Sequence, residues 1–559
     1  MKKSILALLL VVAMMLSLLV GCGGEASTKE ENTSGAASSQ TEPETAAPEA
    51  ETPEVEEPAS EAAAEEERPA IEYPLVDEPT TLTYWQAWPP FLNEISAPSD
   101  AAMFAQLEEA TGIKLEITAV STETSADDFM LRCASMDLTD MIQKGGQNYT
   151  GGGAKAIEDE VLLDLLPLLE EYSVNYWNIM NSDPNIYKNV LNDEGQVPEL
   201  IGMYTEPYYT DQGFWIRKDL LDKAGKEAPT TISELDEVLK AFKDMGMTDP
   251  LVVLSEGNCE FISRAYGAVD KMDGDTLVAT ARSDAYKEYL KKMHEYYENG
   301  YINVDFVTYT ESDTKPPQDV IYSDNGGIFN EDVASIAGYY NSTTNPDFEV
   351  APLAQVRLNE GDVLDYGYIG VVASDKYSLA LSSTCSDPQL CIQYMDYLFS
   401  DEGFELANYG TEGVTYTKDG GVYQFTDLIL NNEQGFDWQL CQSLYINPGF
   451  PCLTDLSIQE MTYNEAQKAA VDTWVGAYDS ADATTPNTLW LSYTTEESEE
   501  RASVQTDIET YQEEMRLKFI TGQMDIDAEW DNYVETLTSM GIDILEETMQ
   551  DAITRYNSK

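Results

Sequence analysis

Phe214–Asp244, FWIRKDLLDKAGKEAPTTISELDEVLKAFKD, decides how the chain is read. Phe214–Ile216 is a short apolar run suited to a buried strand. Asp219–Ala224 follows as a short helix, and Gly225 stands where a left-handed residue closes one. Pro229-Thr230-Thr231 opens a second helix. Thr231 and Glu234 have capping-box spacing, hydroxyl and carboxylate each answering a backbone N–H that the first turn leaves free. Ile232, Leu235, Val238, Leu239 and Phe242 recur at helical spacing, so one face is apolar. Strand, helix, helix is a packing unit of a layered α/β protein.

The same alternation extends upstream. Leu82–Trp85 reads as a first strand, and Gln86–Pro90 breaks it. Ala101–Thr111 is a helix stopped by Gly112. Ile113–Thr118 alternates like a strand, Asp127–Ser135 is a helix, and Asp140–Ile142 is the next strand. This is a parallel α/β lobe. Gly195–Asp211 should hold the first crossing to a second lobe, which runs from about Gly213 to Tyr340. That lobe includes a buried-strand candidate, Leu251–Leu254, and a helix, Ala285–Asn299, stopped by Gly300. The chain should cross back near Phe348–Pro352, and Gly367–Ser374 should complete the first sheet. The expected division is 80–205 plus 350–418 for the first lobe and 206–349 plus 419–559 for the second. The C-terminal stretch reads as helical, with Ile508, Tyr511, Met515 and Phe519 on one face.

The N-terminal end is a targeting segment. Lys2 and Lys3 precede the apolar Ile5–Val20, which is short for a membrane span. Leu19-Val20-Gly21-Cys22 has the form of a bacterial lipobox, in which residues 1–21 are removed and the Cys22 sulfur carries a diacylglycerol. Residues 22–79 then read as an acidic, disordered tether, rich in Glu, Ala, Ser, Thr and Pro and poor in aromatics. The mature chain would sit outside the cytoplasmic membrane, held to it by lipid.

Charge narrows the partners. The 559 residues hold 102 acidic and 31 basic side chains, a formal charge of -71. Such a surface repels nucleic acid and anionic headgroups, since phosphate binding needs Lys and Arg to displace counterions. Catalytic signatures are missing too: no G-x-S-x-G elbow, no H-E-x-x-H, no phosphate-binding P-loop, no EF-hand loop. Carboxylate pairs for glycoside hydrolysis identify nothing in so acidic a chain. Asp270–Asp275 is acidic enough to suggest a metal but reads as a turn, and His294, the single histidine, receives no role. No cofactor and no metal are expected. Beyond Cys22 lie Cys133, Cys259, Cys385, Cys391, Cys441 and Cys452. Mostly free, buried thiols are expected, with room for one bridge. Cys385 and Cys391 would be too far apart to bond on one straight helix.

The residues quoted first have a further property in their order. W-x-R-K-D-L-L-D-K-x-G, P-T-T-x-x-E-L and A-F-K-D resemble the extracellular solute-binding proteins of carbohydrate ABC transporters, family 1, in their lipoprotein branch. Asn408-Tyr409-Gly410-Thr411-Glu412-Gly413-Val414-Thr415-Tyr416 is similar to that family's N-Y-G-x-E-G-V-x-Y run. Phe519–Gly522, Trp530–Val534 and Gln550–Tyr556 resemble its C-terminal ending. Leu131–Ile142 is similar to its L-A-S-G-D-L-P-D-I-I stretch but departs at Met136 and Thr139. The resemblance implies a two-lobe fold of the type II periplasmic-binding-protein kind, with an interlobe cleft and hinge crossings. It implies a monomer that binds a carbohydrate, an oligosaccharide above all, for an ABC permease. A peptide or other solute, or the chemistry of a surface glycosidase, stands as the alternative.

Ligand residues follow from placement. Crevices of open α/β sheets lie beyond the strand ends. Sugars offer apolar faces to aromatic rings and hydroxyl rims to polar side chains. Trp85 and Trp88 end the first strand, as platform or as packing; Tyr208 and Tyr209 stand at the crossing. Gln143 and Lys144 follow the third strand, Asn258 and Glu260 follow Leu251–Leu254, and Asn330 and Glu331 follow Gly327–Phe329. Trp438 and Trp490 are further ligand candidates; for these and for Trp474 a core role competes.

Overall fold

Two β-sheets carry the two lobes. The computed structural model describes residues 68–88, 100–208, 212–309, 318–364, 370–436, 438–475, 486, 488 and 490–559. The leader, Cys22, the tether up to residue 67, and Tyr209 lie outside the described residues. In chain order the strands are β1 (Thr80–Trp88), β2 (Ile113–Ser121), β3 (Met141–Gln143), β4 (Leu200–Tyr208), β5 (Gln212–Arg217) and β6 (Asp249–Leu251). A hairpin, β7 (Lys271–Asp273) and β8 (Thr276–Val278), precedes β9 (Gly326–Asp332), β10 (Val350–Pro352) and β11 (Val371–Leu381). A second hairpin, β12 (Tyr416–Asp419) and β13 (Val422–Phe425), precedes β14 (Leu453–Thr454).

The first sheet has the order β14-β4-β11-β3-β1-β2, the second β10-β5-β9-β6. The first is mixed rather than parallel: β11 runs antiparallel to both β3 and β4. Helices cover it on both faces. Leu82, Tyr84, Met141 and Leu200 meet Met103, Phe104 and Leu107 of helix Ala102–Thr111 on one side. Trp85, Ile142 and Ala380 meet Phe129 and Cys133 on the other.

The deciding stretch folds as its pattern dictates. Helix Lys218–Ala224 closes at Gly225, whose φ is +63°. Helix Ile232–Asp244 buries Ile232, Leu235, Val238, Leu239 and Phe242, each worth about 2 kcal/mol of transfer from water. Its cap differs in one partner. Thr231 Oγ1 accepts from Glu234 N at 3.3 Å, but the Glu234 carboxylate accepts from Thr230 N at 2.8 Å. Alternation along β5 sends Ile216 into the core under that helix and Trp215 to the opposite face.

Arg217, on the Trp215 side, is fully buried. Its guanidinium donates to Asp219 Oδ1 and Oδ2 at 2.9 Å each, to Ile321 O at 2.7 Å, and to Asp324. It also lies over the Phe348 ring at 4.5 Å.

The expected lobe boundaries shift at three places. Val350–Pro352 pairs with β5, so it belongs to the second sheet, and the return crossing falls between 352 and 371. Leu453–Thr454 pairs with β4, and helix Trp438–Tyr445 contacts helix Ala102–Thr111, so 419–454 lies with the first lobe. Helix Glu465–Val475 then lies in the second, with Ala470 and Trp474 against Trp215 and Phe329. Residues 68–79, expected in the tether, are folded instead. Arg68 donates to Ser173 O at 3.0 Å and lies over Trp177, and Tyr73 packs edge-on to Tyr397. Arg68, Tyr73, Leu75 and Val76 supply what the preceding Glu/Ala/Ser composition lacks.

The last helix, Ile542–Ser558, ties the lobes together. Ile542 belongs to the second core, yet Arg555 reaches Asp193 Oδ2 at 2.7 Å and Lys559 reaches Leu191 O at 2.8 Å, on the first lobe. Glu497 holds the other side of Arg555 at 2.6 Å. Cys133, Cys259, Cys385, Cys391, Cys441 and Cys452 are free thiols. Cys385 and Cys391 do not share a helix: Cys385 lies in the turn before helix Pro388–Asp396, and the two Sγ atoms are 3.6 Å apart.

Arg217→Met removes both guanidinium hydrogen bonds from the buried Asp219 carboxylate, leaving it only the exposed Lys223 at 3.9 Å. Stability is expected to fall by about 3–5 kcal/mol, read as a lower denaturant midpoint.

Candidate ligand-binding cleft

Strand direction locates the cleft. β1 is parallel to β2 and β3, and β4 is parallel to β3 because β11 is antiparallel to both. The C-terminal ends of β1 to β4 therefore share one edge of the first sheet. From that edge β4 leaves at Tyr208 and the chain re-enters as β5 at Gln212. The returning strand lies beside it, with Val371 opposite Tyr208. In the second sheet Gln212 faces Asp332, and β6 is parallel to β9. The C-terminal ends of β6 and β9 therefore meet the same crossing. Each lobe thus directs its strand-end loops to the hinge, where a two-lobe binder holds its ligand.

Several predicted residues reach this edge. Trp88 is half-buried at the end of β1. Tyr208 is half-buried and stacked on Tyr204, with ring centroids 5.4 Å apart. Between them Thr205, Glu206 and Pro207 are exposed. Lys144 is half-buried and follows β3 directly. Asn330 is exposed near the end of β9, and Asn258 is exposed beyond β6.

Others have different work. Trp85 is 1 % exposed, donates Nε1–H to Asp128 Oδ2 at 2.8 Å, and packs on Phe129. Strand parity decides this: Trp85 projects under helix Ser125–Ser135, so it is core and not a platform. Gln143 is buried, donating to Gly449 O at 3.1 Å and accepting from Ala87 N at 3.2 Å, so it fastens a loop to β1. Glu331 is buried, accepting from Tyr339 and from Asp332 N. Glu260 pairs with Arg264 on its own helix. Trp438 packs on Phe425 at 5.1 Å, in the cluster around the β12–β13 hairpin. Trp490 lies against the first core. Trp474 is buried against Trp215 and closes on Gly213, where a Cβ would come within 2.1 Å of its ring. Only glycine fits there, so β5 starts under an indole lid.

Sequence reasoning missed a polar cluster at the end of β3. Glu199 is 7 % exposed. Its Oε2 accepts from Ser378 Oγ at 2.8 Å and from Gly146 N at 3.4 Å. Gln147 donates to Asp375 O at 2.9 Å and Ser378 Oγ at 3.0 Å. These bonds fix the Lys144–Asn148 turn against β11. Burial pushes the Glu199 carboxyl up to about 7, opposed by the Ser378 and Gly146 hydrogen bonds. Gln86 was missed as well. It is 1 % exposed, donates to Pro448 O at 3.1 Å, and among the described residues its Oε1 has no hydrogen-bond partner. Both residues look like ordinary strand-flanking polars in sequence, and only the register brings them to this edge. Among the described residues no group of three or more His, Cys, Asp or Glu side chains is arranged to hold a metal.

Comparison with known proteins places the chain. Residues 93–403 match the model of the bacterial extracellular solute-binding protein family, and the chain belongs to that family. It is similar to the polygalacturonan/rhamnogalacturonan-binding protein YtcQ of Bacillus subtilis, 24% identical over 63% of this chain and 70% of the relative. The ABC-transporter substrate-binding protein FusA of Streptococcus pneumoniae, solved with kestose, superposes with TM-score 0.67 at 18% identity, covering 86% of this chain and 100% of that one. An HMO-binding, ABC-transporter-associated solute-binding protein from Bifidobacterium longum infantis gives TM-score 0.66 at 18% identity, covering 86% and 99%. The fold is the two-lobe, type II solute-binding one.

Glu199 sets a pH signature. Its carboxyl is raised when folded, so its contribution is fully present below the unfolded value and is lost as pH rises to about 7. That loss is expected to reach about 3 kcal/mol. Glu199→Gln keeps an acceptor and removes the charge. Relative to the parent, the variant should gain stability between pH 5 and 7.5 in urea unfolding.

Proposed function

We propose that this chain captures an oligosaccharide between its lobes and presents it to the permease of an ABC transporter, held to the outer face of the membrane by lipid on Cys22. The observation that carries the reading is the stacked Tyr204–Tyr208 pair on the strand that leaves the first sheet at the crossing. An aromatic face with an exposed polar stretch beside it suits a sugar ring: apolar C–H groups against the rings, hydroxyls toward Glu206, Lys144 and Asn330. Family membership supplies the extracellular solute-binding role. The carbohydrate class is supported by relatives whose names give polygalacturonan, kestose and HMO as what they bind. Hinged lobes need no chemistry on the ligand, so the reading is of binding without turnover.

The lipobox reading of Leu19–Cys22 supports the anchor. Among the described residues no helix is long and apolar enough to cross a membrane. A monomer suffices, since each chain supplies both walls of its own cleft.

The test is thermal unfolding of the purified chain against neutral and acidic oligosaccharides and short peptides. A ligand at a hundred times its Kd should add about 2.7 kcal/mol, with the bound glycan recovered intact. Tyr208→Ala should then weaken that glycan about tenfold, equal to about 1.4 kcal/mol, with the unliganded melting temperature nearly unchanged. A shift with peptides and none with glycans would refute the carbohydrate assignment. Cleavage of the bound glycan would refute the binding-only reading.

A further inference from the structure

The turn Ser382–Asp387 holds two thiols against each other by bonds that involve neither. Cys385 N donates to Ser382 O at 3.0 Å, and Ser382 and Thr384 hydroxyls are 3.1 Å apart. Ser386 donates its N–H and its hydroxyl to Asp140 Oδ1 at 2.8 Å each. Asp140 Oδ2 in turn accepts from Thr83 N at 2.8 Å and Oγ1 at 2.7 Å. Burial alone would raise the Asp140 carboxyl, but the Ser386 and Thr83 hydrogen bonds outweigh it and hold it below the usual range. Asp387 caps the next helix through Leu390 N at 3.0 Å, and that helix fixes Cys391 by its N–H to Asp387 O at 3.1 Å. The result is Sγ to Sγ at 3.6 Å. Bond formation requires closing to about 2.05 Å. The two sulfurs also differ in access. Cys385 is half-buried and Cys391 is fully buried.

We infer that Cys385 and Cys391 are joined by a disulfide once the folded chain meets an oxidising extracellular medium. Membership of an extracellular family puts the pair where disulfides persist. The oxidant is a low-molecular-weight disulfide or the disulfide of an exported oxidoreductase. Cys385, the accessible sulfur, loses its proton and attacks one sulfur of that disulfide, breaking its S–S bond and releasing one thiolate. The thiol of Cys391 then gives its proton to solvent and attacks Cys385 Sγ, expelling the second thiolate. Two cysteine thiols lose two protons and two electrons, and the oxidant leaves as two thiols. Contact with Cys385, then burial, holds the Cys391 thiol above its ordinary range, which suits the order with Cys385 attacking first.

The test uses the full chain, reduced and then exposed while folded to oxidised glutathione at mildly alkaline pH. Iodoacetamide in denaturant caps the remaining thiols before trypsin digestion. Tyr377–Lys418 is a tryptic peptide whose cysteines are Cys385 and Cys391. It should appear uncapped and about 2 Da lighter than the dithiol, and accept two caps only after reduction. Recovery of the doubly capped peptide from the oxidised sample overturns the inference, as does a lasting glutathione adduct on Cys385. In Cys391→Ser the reaction should stop at that adduct. A Cys385 left unmodified in this variant overturns the attack order.

Discussion

The buried guanidinium of Arg217 organises the second lobe. Arg217 sits at the end of β5 with no exposed surface, in a chain whose formal charge is -71. Taking a guanidinium out of water is costly, and only full hydrogen bonding offsets it. Here Asp219 gives two oxygens, Ile321 a carbonyl and Asp324 a carboxylate, while the Phe348 ring covers the guanidinium plane. These partners come from the helix after β5, the helix Gln318–Tyr322 and the turn that follows it before β9, and the loop before β10. The sheet order β10-β5-β9 is therefore restrained at its corner by one side chain, and the strands leading to the crossing inherit that restraint.

The first lobe uses a mirror of the same device, a buried anion. Asp396 is fully buried and accepts from Val174, Asn175 and Tyr176 backbone N–H groups and from the Ser173 hydroxyl. It caps helix Asn175–Met180 from a distant helix, satisfying donors that no intrahelical carbonyl reaches. Asp140 does comparable work at the start of β3. Charge in this protein is thus of two kinds. Most of it is exposed and screened. A small buried fraction, held by hydrogen bonds and ion pairs, fixes where elements meet.

What could be read from sequence follows from the range of the forces involved. Local signals were legible: the Gly225 stop, the Thr231 cap, the apolar face from Ile232 to Phe242. The order of residues also carried the family resemblance, and within W-x-R-K-D the Arg217–Asp219 contact joins residues two positions apart. Long-range pairing was not legible. Nothing near Leu453 announces that it extends the first sheet beside Met203, nor near Val350 that it pairs with Arg217. For the cleft, Trp88 and Tyr208 could be placed by their position at strand ends. Trp85 could not, since its environment depends on which face helix Ser125–Ser135 covers. Gln86 and Glu199 gave no signal, as their significance lies in burial. The approach of Cys385 to Cys391 depends on a turn that Asp140 holds, so the spacing of the two residues along one helix does not show it.

The docking of the C-terminal helix on the first lobe bears on how the lobes can move. Strand crossings alone permit bending about more than one line. The contact of Arg555 and Lys559 with Asp193 adds a fixed point well separated in sequence from those crossings. Asp193 is nearly inaccessible there, so pulling the contact apart would strand a carboxylate in a poorly hydrated site. The terminal residues therefore add a contact between the lobes outside the strand crossings, one that any opening of the cleft must either keep or break.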